Sequence, residues 1–226
     1  AAGLNAPDVS IVIAADNDVS IVDNNYRNYA AIGDVLGLVS LAERSQNPGE
    51  LIDAFNLQSV ASSAFVNPGL SSGKKLSTYS DADLETLHAS RYIFAETIPG
   101  LTGVYLNDSF TCIASNSDYS QIENNRVIKQ AYRVCRAAVL PRVKSRLPLN
   151  PSTGRLDSGT RFEIESSIKR ALKNMGDTSG GEDAYIDPNQ NLLTADDVKI
   201  KASFIPTPIG RKITISVGFT NPLNNG

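Results

Sequence analysis

The feature that most constrains this chain is the apolar rhythm of residues 119–140. Val127, Ile128, Ala131, Val134, Cys135, Ala138 and Val139 follow one another in steps of one or three, which places them on one side of a helix. Arg126, Lys129, Arg133 and Arg136 lie opposite. An amphipathic helix of this length must bury its stripe against other elements, so the flanking sequence has to supply a core.

Those elements are legible. Residues 9–14 (VSIVIA) form a continuous apolar run between Pro7 and the polar cluster Asp16, Asn17, Asp18, the pattern of an interior strand covered on both faces. Over 25–44 the apolar positions go nearly all round a helix, predicting deep burial, with Gly33 and Gly37 admitting another backbone. Residues 58–80, rich in Ser, Gly, Asn and Pro, read as loop. Ser80 opens a helix with Asp83 completing a capping box and Leu84 and Leu87 turned inward. Residues 92–95 and 103–106 read as short strands.

A further helix starts at Thr160, with Glu163 reaching back to the cap, and stops before Gly176. Glu163 and Glu165 come early in it and Lys169, Arg170 and Lys173 late, in line with the helix dipole. Two alternating stretches close the chain: Val198, Ile200, Ala202, Phe204, then Ile213, Ile215, Val217, Phe219. They predict two half-buried strands joined through PTPIGRK. The fold class is therefore α/β in the broad sense, α+β in detail: a mixed β-sheet flanked by helices and ending in a C-terminal pair of strands, in one domain over 1–226. The chain opens at Ala1 and its one methionine is Met175, so it is read as a processed protein or a piece of a longer one.

Composition narrows the chemistry. A formal charge of -3 gives no global attraction to phosphate backbones or anionic membranes, so neither nucleic acid nor membrane is an expected partner. With one histidine and two cysteines, Cys112 and Cys135, far apart, neither a metal centre, a cofactor nor a disulfide framework is expected.

Three local motifs need weighing. GLSSG (69–73) fits the G-x-S-x-G of a hydrolase nucleophile elbow around Ser71, but lacks the preceding buried strand, the following helix and a histidine late in the chain. It reads as a turn of small residues. DNDVS (16–20) begins like a calcium loop, yet Ile21 and Arg27 stand where glycine and the bidentate acid belong. Asn107-Asp108-Ser109 fits a glycosylation sequon. The basic stripe Arg126, Lys129, Arg133, Arg136, continued by Arg142, Lys144 and Arg146, reads either as a solvated face or as a docking face for an acidic neighbour. RNA is a weaker option, since no aromatic platform is interleaved. The competing functions are thus a small serine hydrolase using Ser71 and a binding adaptor using the stripe.

GVYLNDSFTCIASNSDYSQIENNRVIKQAYRVCRAAVLP (103–141) resembles the conserved C-terminal half of contractile tail sheath proteins of bacteriophages and related injection machines: an aromatic strand, Asn-Asp, Asp-Tyr, an Asn-Arg pair in a long helix, and proline at its end. LPLNPSTGRLDSGTRFEIESSIKRAL (147–172) and DDVKIKASFIPTPIGRKITISVGF (196–219) are similar to that family's turn with capped helix and its closing strands. IVIAADND and AAIGDVLGLVSLA are similar to its earlier strand and glycine-containing helix. The chain is short for such a subunit. The resemblance implies a structural protein without catalysis, with partners in copies of itself forming a helical sheath, an inner tail tube and a baseplate, in a virion tail assembled in a bacterial cytoplasm. It also implies exchange of terminal strands, here Ile213, Ile215, Val217 and Phe219. By analogy, the helix of Arg161, Lys169, Arg170 and Lys173 would touch the tube.

Overall fold

The computed structural model describes residues 1–17, 29–58, 65–190, 192 and 197–218. Among the described residues four helices, α1 (Ile32–Leu41), α2 (Asp81–Ala89), α3 (Ile122–Val139) and α4 (Ser158–Lys173), accompany seven short strands. β1 (Ala14–Asp16), β2 (Pro68–Leu70) and β3 (Lys74–Lys75) make one antiparallel sheet in that order. β4 (Ala95–Glu96) pairs with β5 (Tyr105–Leu106), and β6 (Asp183–Ile186) with β7 (Ile200–Ser203), both antiparallel. The α+β class and the closing pair of strands stand, with the strands divided among three small sheets.

Two principal hydrophobic cores organise these elements. The first gathers Ala14, Val35, Leu38, Phe55, Phe65, Ile93 and Leu106. The second joins Ile164, Ile168 and Leu172 of α4 to Ala131 of α3 and to Ala184 and Ile186 of β6. The long helix serves both. Ile122, ahead of the predicted stripe, packs against the first core, while Ala131, Val134, Cys135 and Val139 of the stripe pack against the second. A smaller cluster of Leu70, Leu76 and Phe94 receives Leu84 and Leu87, the inward pair expected of α2.

Local capping follows the sequence in one helix and departs from it in another. Ser80 and Asp83 form the complete capping box at α2. At α4 the cap is Asp157, whose carboxylate accepts from the N–H groups of Gly159 and Thr160 at 2.9 and 3.1 Å. Thr160 is buried inside the first turn. Asp157 opens the helix three residues earlier and accepts two of its orphan donors at once, with a charge that suits the positive end of the dipole. The far end behaves as expected, with Gly176 at φ 79° just beyond Asn174.

Four other expectations change. Residues 9–13 are exposed or half-buried, and full burial begins at Ala14 and Ala15: the backbone bonds to Cys112, Ile93 and Ser71 pair the stretch along its edges, which covers neither of its faces. Of α1, only Val35 and Leu38 are buried; Ile32, Leu36 and Leu41 are each 61% exposed, and a Cβ built on Gly33 or Gly37 would meet only open space. A ten-residue helix lying on a surface buries one stripe whatever the hydrophobicity of the rest. The predicted residues 25–28 of this helix lie outside the described ones. Within 58–80, read as loop, the segment 68–75 is a hairpin and 76–78 a short 3-10 turn. Finally, Ile200–Ser203 pairs with Asp183–Ile186, not with the last alternating stretch.

Candidate functional site

The alternating stretch Ile213, Ile215, Val217 has no regular secondary structure, and its three side chains are 82%, 79% and 91% exposed. The expected half-buried strand is therefore an outlying arm. Its hydrophobic period is intact, and what it lacks among the described residues is a strand paired with it. Phe219, the last member, lies outside the described residues.

The arm is attached in two places. Near Pro206 it is stitched to residues 178–180, with Ile205 donating to Gly180 O at 2.9 Å and accepting from Ser179 N at 2.8 Å. Further on, Arg211 reaches into the first half of the chain. Its Nε donates to Asp108 Oδ2 at 3.0 Å and Oδ1 at 3.2 Å, and its Nη2 bonds Glu123 Oε1. Both acids are buried, Asp108 at 4% and Glu123 at 1% exposure. Asp108 also accepts from Asn47 Nδ2 and Ser109 N, each at 2.8 Å, and Ser109 Oγ donates to Glu123. Burial raises the Glu123 carboxyl above its ordinary value despite these donors, and it raises the Glu96 carboxyl in the adjoining cleft as well. Nearby Arg91, itself buried, donates to Thr111 O and Ser120 O and stacks over Phe110 at 4.7 Å.

Sequence reasoning missed this cluster. Asp108 stands in the Asn-Asp pair and Glu123 in the first turn of α3, but their partner Arg211 is some hundred positions away in a segment read as a connection. The signal available was a lone arginine between a proline-rich turn and an alternating stretch.

The predicted basic residues differ in how far the fold engages them. Arg126 donates to Val39 O and Ala42 O at 3.1 and 2.9 Å, tying α3 to the C-terminal end of α1. Lys129 is paired with Asp8, whose carboxyl it holds below the usual range, and Arg142 with Glu163. Arg133 bonds the neighbouring Gln130, and it and Arg136 are exposed. Tyr132, three residues after Lys129, is 69% exposed, so the stripe does carry one aromatic side chain. On α4, Lys169 is paired with Asp183 at 2.7 Å, Arg161 is half-buried, and Arg170 and Lys173 are exposed. Phe162 beside them is 70% exposed.

The motifs weighed for catalysis have structural duties. In GLSSG, Ser71 sits in the turn between β2 and β3, its N–H donating to Ile13 O at 2.8 Å, and a strand, not a helix, comes directly after the turn. Gly69 lies where a Cβ would come within 2.6 Å of Lys74 O, and Gly73 has φ 78°, so the two glycines serve a tight hairpin. His88 contacts Asn107 Nδ2 at 3.3 Å and the edge of Phe110, far from the role of a base for Ser71. Asn107 accepts from Phe94 N and donates to Tyr92 O, which commits the sequon's amide to the fold. Asp16 accepts from Val66 N and Asn67 N, both at 3.0 Å, while most of the calcium-like loop lies outside the described residues. Among the described residues no group of three His, Cys, Asp or Glu could hold a metal ion, and no helix is long and apolar enough to cross a membrane.

Comparison with known proteins adds a family. Residues 1–110 match the family model described as DUF2586, N-terminal domain, and residues 118–224 match DUF2586, C-terminal domain. No curated protein matches the chain. Among solved structures, a chain of the anti-feeding prophage baseplate is similar at 13% identity and a TM-score of 0.47, with 63% of this chain and 40% of that one covered. A chain of the same particle's helical sheath in the contracted state gives 16%, 0.46, 63% and 40%. One from the contracted PVC sheath complex of an extracellular contractile injection system gives 12%, 0.47, 69% and 45%. The chain thus spans less than half the length of each, and at these scores the overlap is partial and decides no role.

Proposed function

We propose, for a chain that belongs to the DUF2586 family through both of its halves, a structural role: a subunit of a contractile tail sheath, in a phage tail or related injection device, that joins copies of itself into a helical tube around an inner tail tube. The observation that carries this reading is the arm. Ile213, Ile215 and Val217 keep a strict strand period while nearly all of each side chain is exposed. Such a segment gains backbone hydrogen bonds and a covered face only by joining a sheet edge, which a neighbouring copy supplies in a repeating assembly. The sheath-like pattern over 103–141, 147–172 and 196–219 supports the same reading.

The rest of the chain suits a passive mechanical part. Helix α3 contributes side chains to both cores, which supports reading 1–226 as a single unit able to transmit force. Arg133, Arg136, Arg170 and Lys173 remain as exposed cations for contacts with acidic surfaces of neighbours, the tube or the baseplate. Head-to-tail contacts that do not close give a helix. Electron microscopy of the full-length gene product tests the proposal: rings or tubes are expected, and a dispersed monomer at high concentration would sink it.

A further inference from the structure

We infer that Asp108 and Glu123 form a guanidinium-binding site, and that its occupant, Arg211, is a releasable anchor for the C-terminal arm. The site is built independently of its ligand. Asn47 Nδ2 and Ser109 N, each at 2.8 Å, orient Asp108, and Ser109 Oγ holds Glu123, so both carboxylates stay aimed when the guanidinium leaves. Two nearly dry carboxylates facing one direction demand a cation, and the planar fork of arginine answers both at once.

The occupant is held by little else. Beyond Pro206 the arm runs through Pro208 and Gly210 with no backbone hydrogen bond to the body among the described residues, and Ile209 is only half-buried. Arg211 is one-third exposed, at 32% of its side chain, along a cleft of about 760 Å³ that Glu43, Glu50 and Glu96 also line. Water reaches the ion pair, and the acidic cleft gives the departing Arg211 and Lys212 a favourable path back. The arm therefore exchanges between an anchored state, with its root fixed to the first half of the chain, and a free state pivoting about residues 206–210. Anchoring sets the direction in which the arm leaves the body. It belongs to the isolated chain, whether or not the chain assembles.

An arginine-specific endoprotease reads this directly, because the bond after Arg211 is cut only when the guanidinium is free to enter the protease's own pocket. In the wild-type protein, cleavage after Arg211 is expected to be at least about tenfold slower than after exposed Arg146. The double variant D108N/E123Q should bring the two rates together while Arg146 is cut as before. Buried Arg91 serves as the control for unfolding; if it is cut in the double variant, the comparison is made with E123Q alone, which keeps a hydrogen-bonding amide beside Ser109. Equal cleavage after Arg211 and Arg146 in the wild type, or no acceleration in a variant that leaves Arg91 uncut, overturns the inference.

Discussion

Replacing Arg211 by alanine strands two buried carboxylates, and the cost can be worked out from their surroundings. At 3.0 Å and an effective dielectric of 20, one unit pair attracts by roughly 5.5 kcal/mol before desolvation is subtracted. Removing one partner of a fully buried pair typically costs about 3–5 kcal/mol. Two features reduce this figure: a third of the Arg211 side chain is already hydrated, and Asp108 keeps its bonds from Asn47 and Ser109. We expect a loss of about 2–3 kcal/mol at pH 7, read by urea denaturation. The loss should shrink toward pH 5. Burial holds the Glu123 carboxyl above its ordinary value even with Arg211 present. Without the guanidinium it rises further, so the native state binds the proton more tightly than the unfolded chain. Stability from this group is then full below the ordinary glutamate range and falls as pH rises through the folded value. Adding Glu123→Gln should recover part of the loss by removing the stranded charge. A loss below about 0.5 kcal/mol at pH 7, or the same loss at both pH values, would refute the reasoning.

Other substitutions separate packing from surface. Leu172→Ala, at a fully buried position between α3, α4 and β6, should cost about 2–5 kcal/mol, whereas Leu36→Ala on the open face of α1 should stay within about 0.5 kcal/mol; both are read by chemical denaturation. Gly69→Ala must push β2 away from Lys74 O, and a loss of about 1–3 kcal/mol is expected, while Ser71→Ala in the same turn should be near neutral. Asp157→Ala should lower stability by about 1 kcal/mol through the lost α4 cap, an effect that Thr160→Ser, which changes no cap, should not share. The carboxyl of Asp83 lies below its ordinary 3.8 because Ser80 donates to it, so the α2 capping box is intact above that pH and is lost as pH falls through the folded value; hydrogen exchange of residues 81–84 should follow.

How far the sequence could be read depended on the range of the contacts involved. The α3 stripe, the Ser80 box and the left-handed Gly176 depend on neighbours within a turn, and local spacing carries them. The α1 helix departs from expectation because six apolar residues in ten look like burial, while exposure is decided by whether another element covers each face, and here only the side of Val35 and Leu38 is covered. The hairpin at 68–75 was hidden by its composition: Gly69 and Gly73 mark loops and tight hairpins alike, and only a paired strand distinguishes the two. For the final strands the period was right and the pairing wrong. A register partner such as Asp183–Ile186 cannot be read from alternation, which specifies a face and not a neighbour. The Arg211 site joins residues some hundred positions apart and follows no spacing at all.

The most direct test of the structural reading is sedimentation velocity of the full-length protein over a wide concentration range, alongside a variant carrying Ile215→Asp. The account predicts concentration-dependent oligomers for the wild type and their loss in the variant, whose folding should be unaffected because Ile215 is 79% exposed. A wild-type protein that stays monomeric throughout, or a variant that associates as strongly as the wild type, would contradict it.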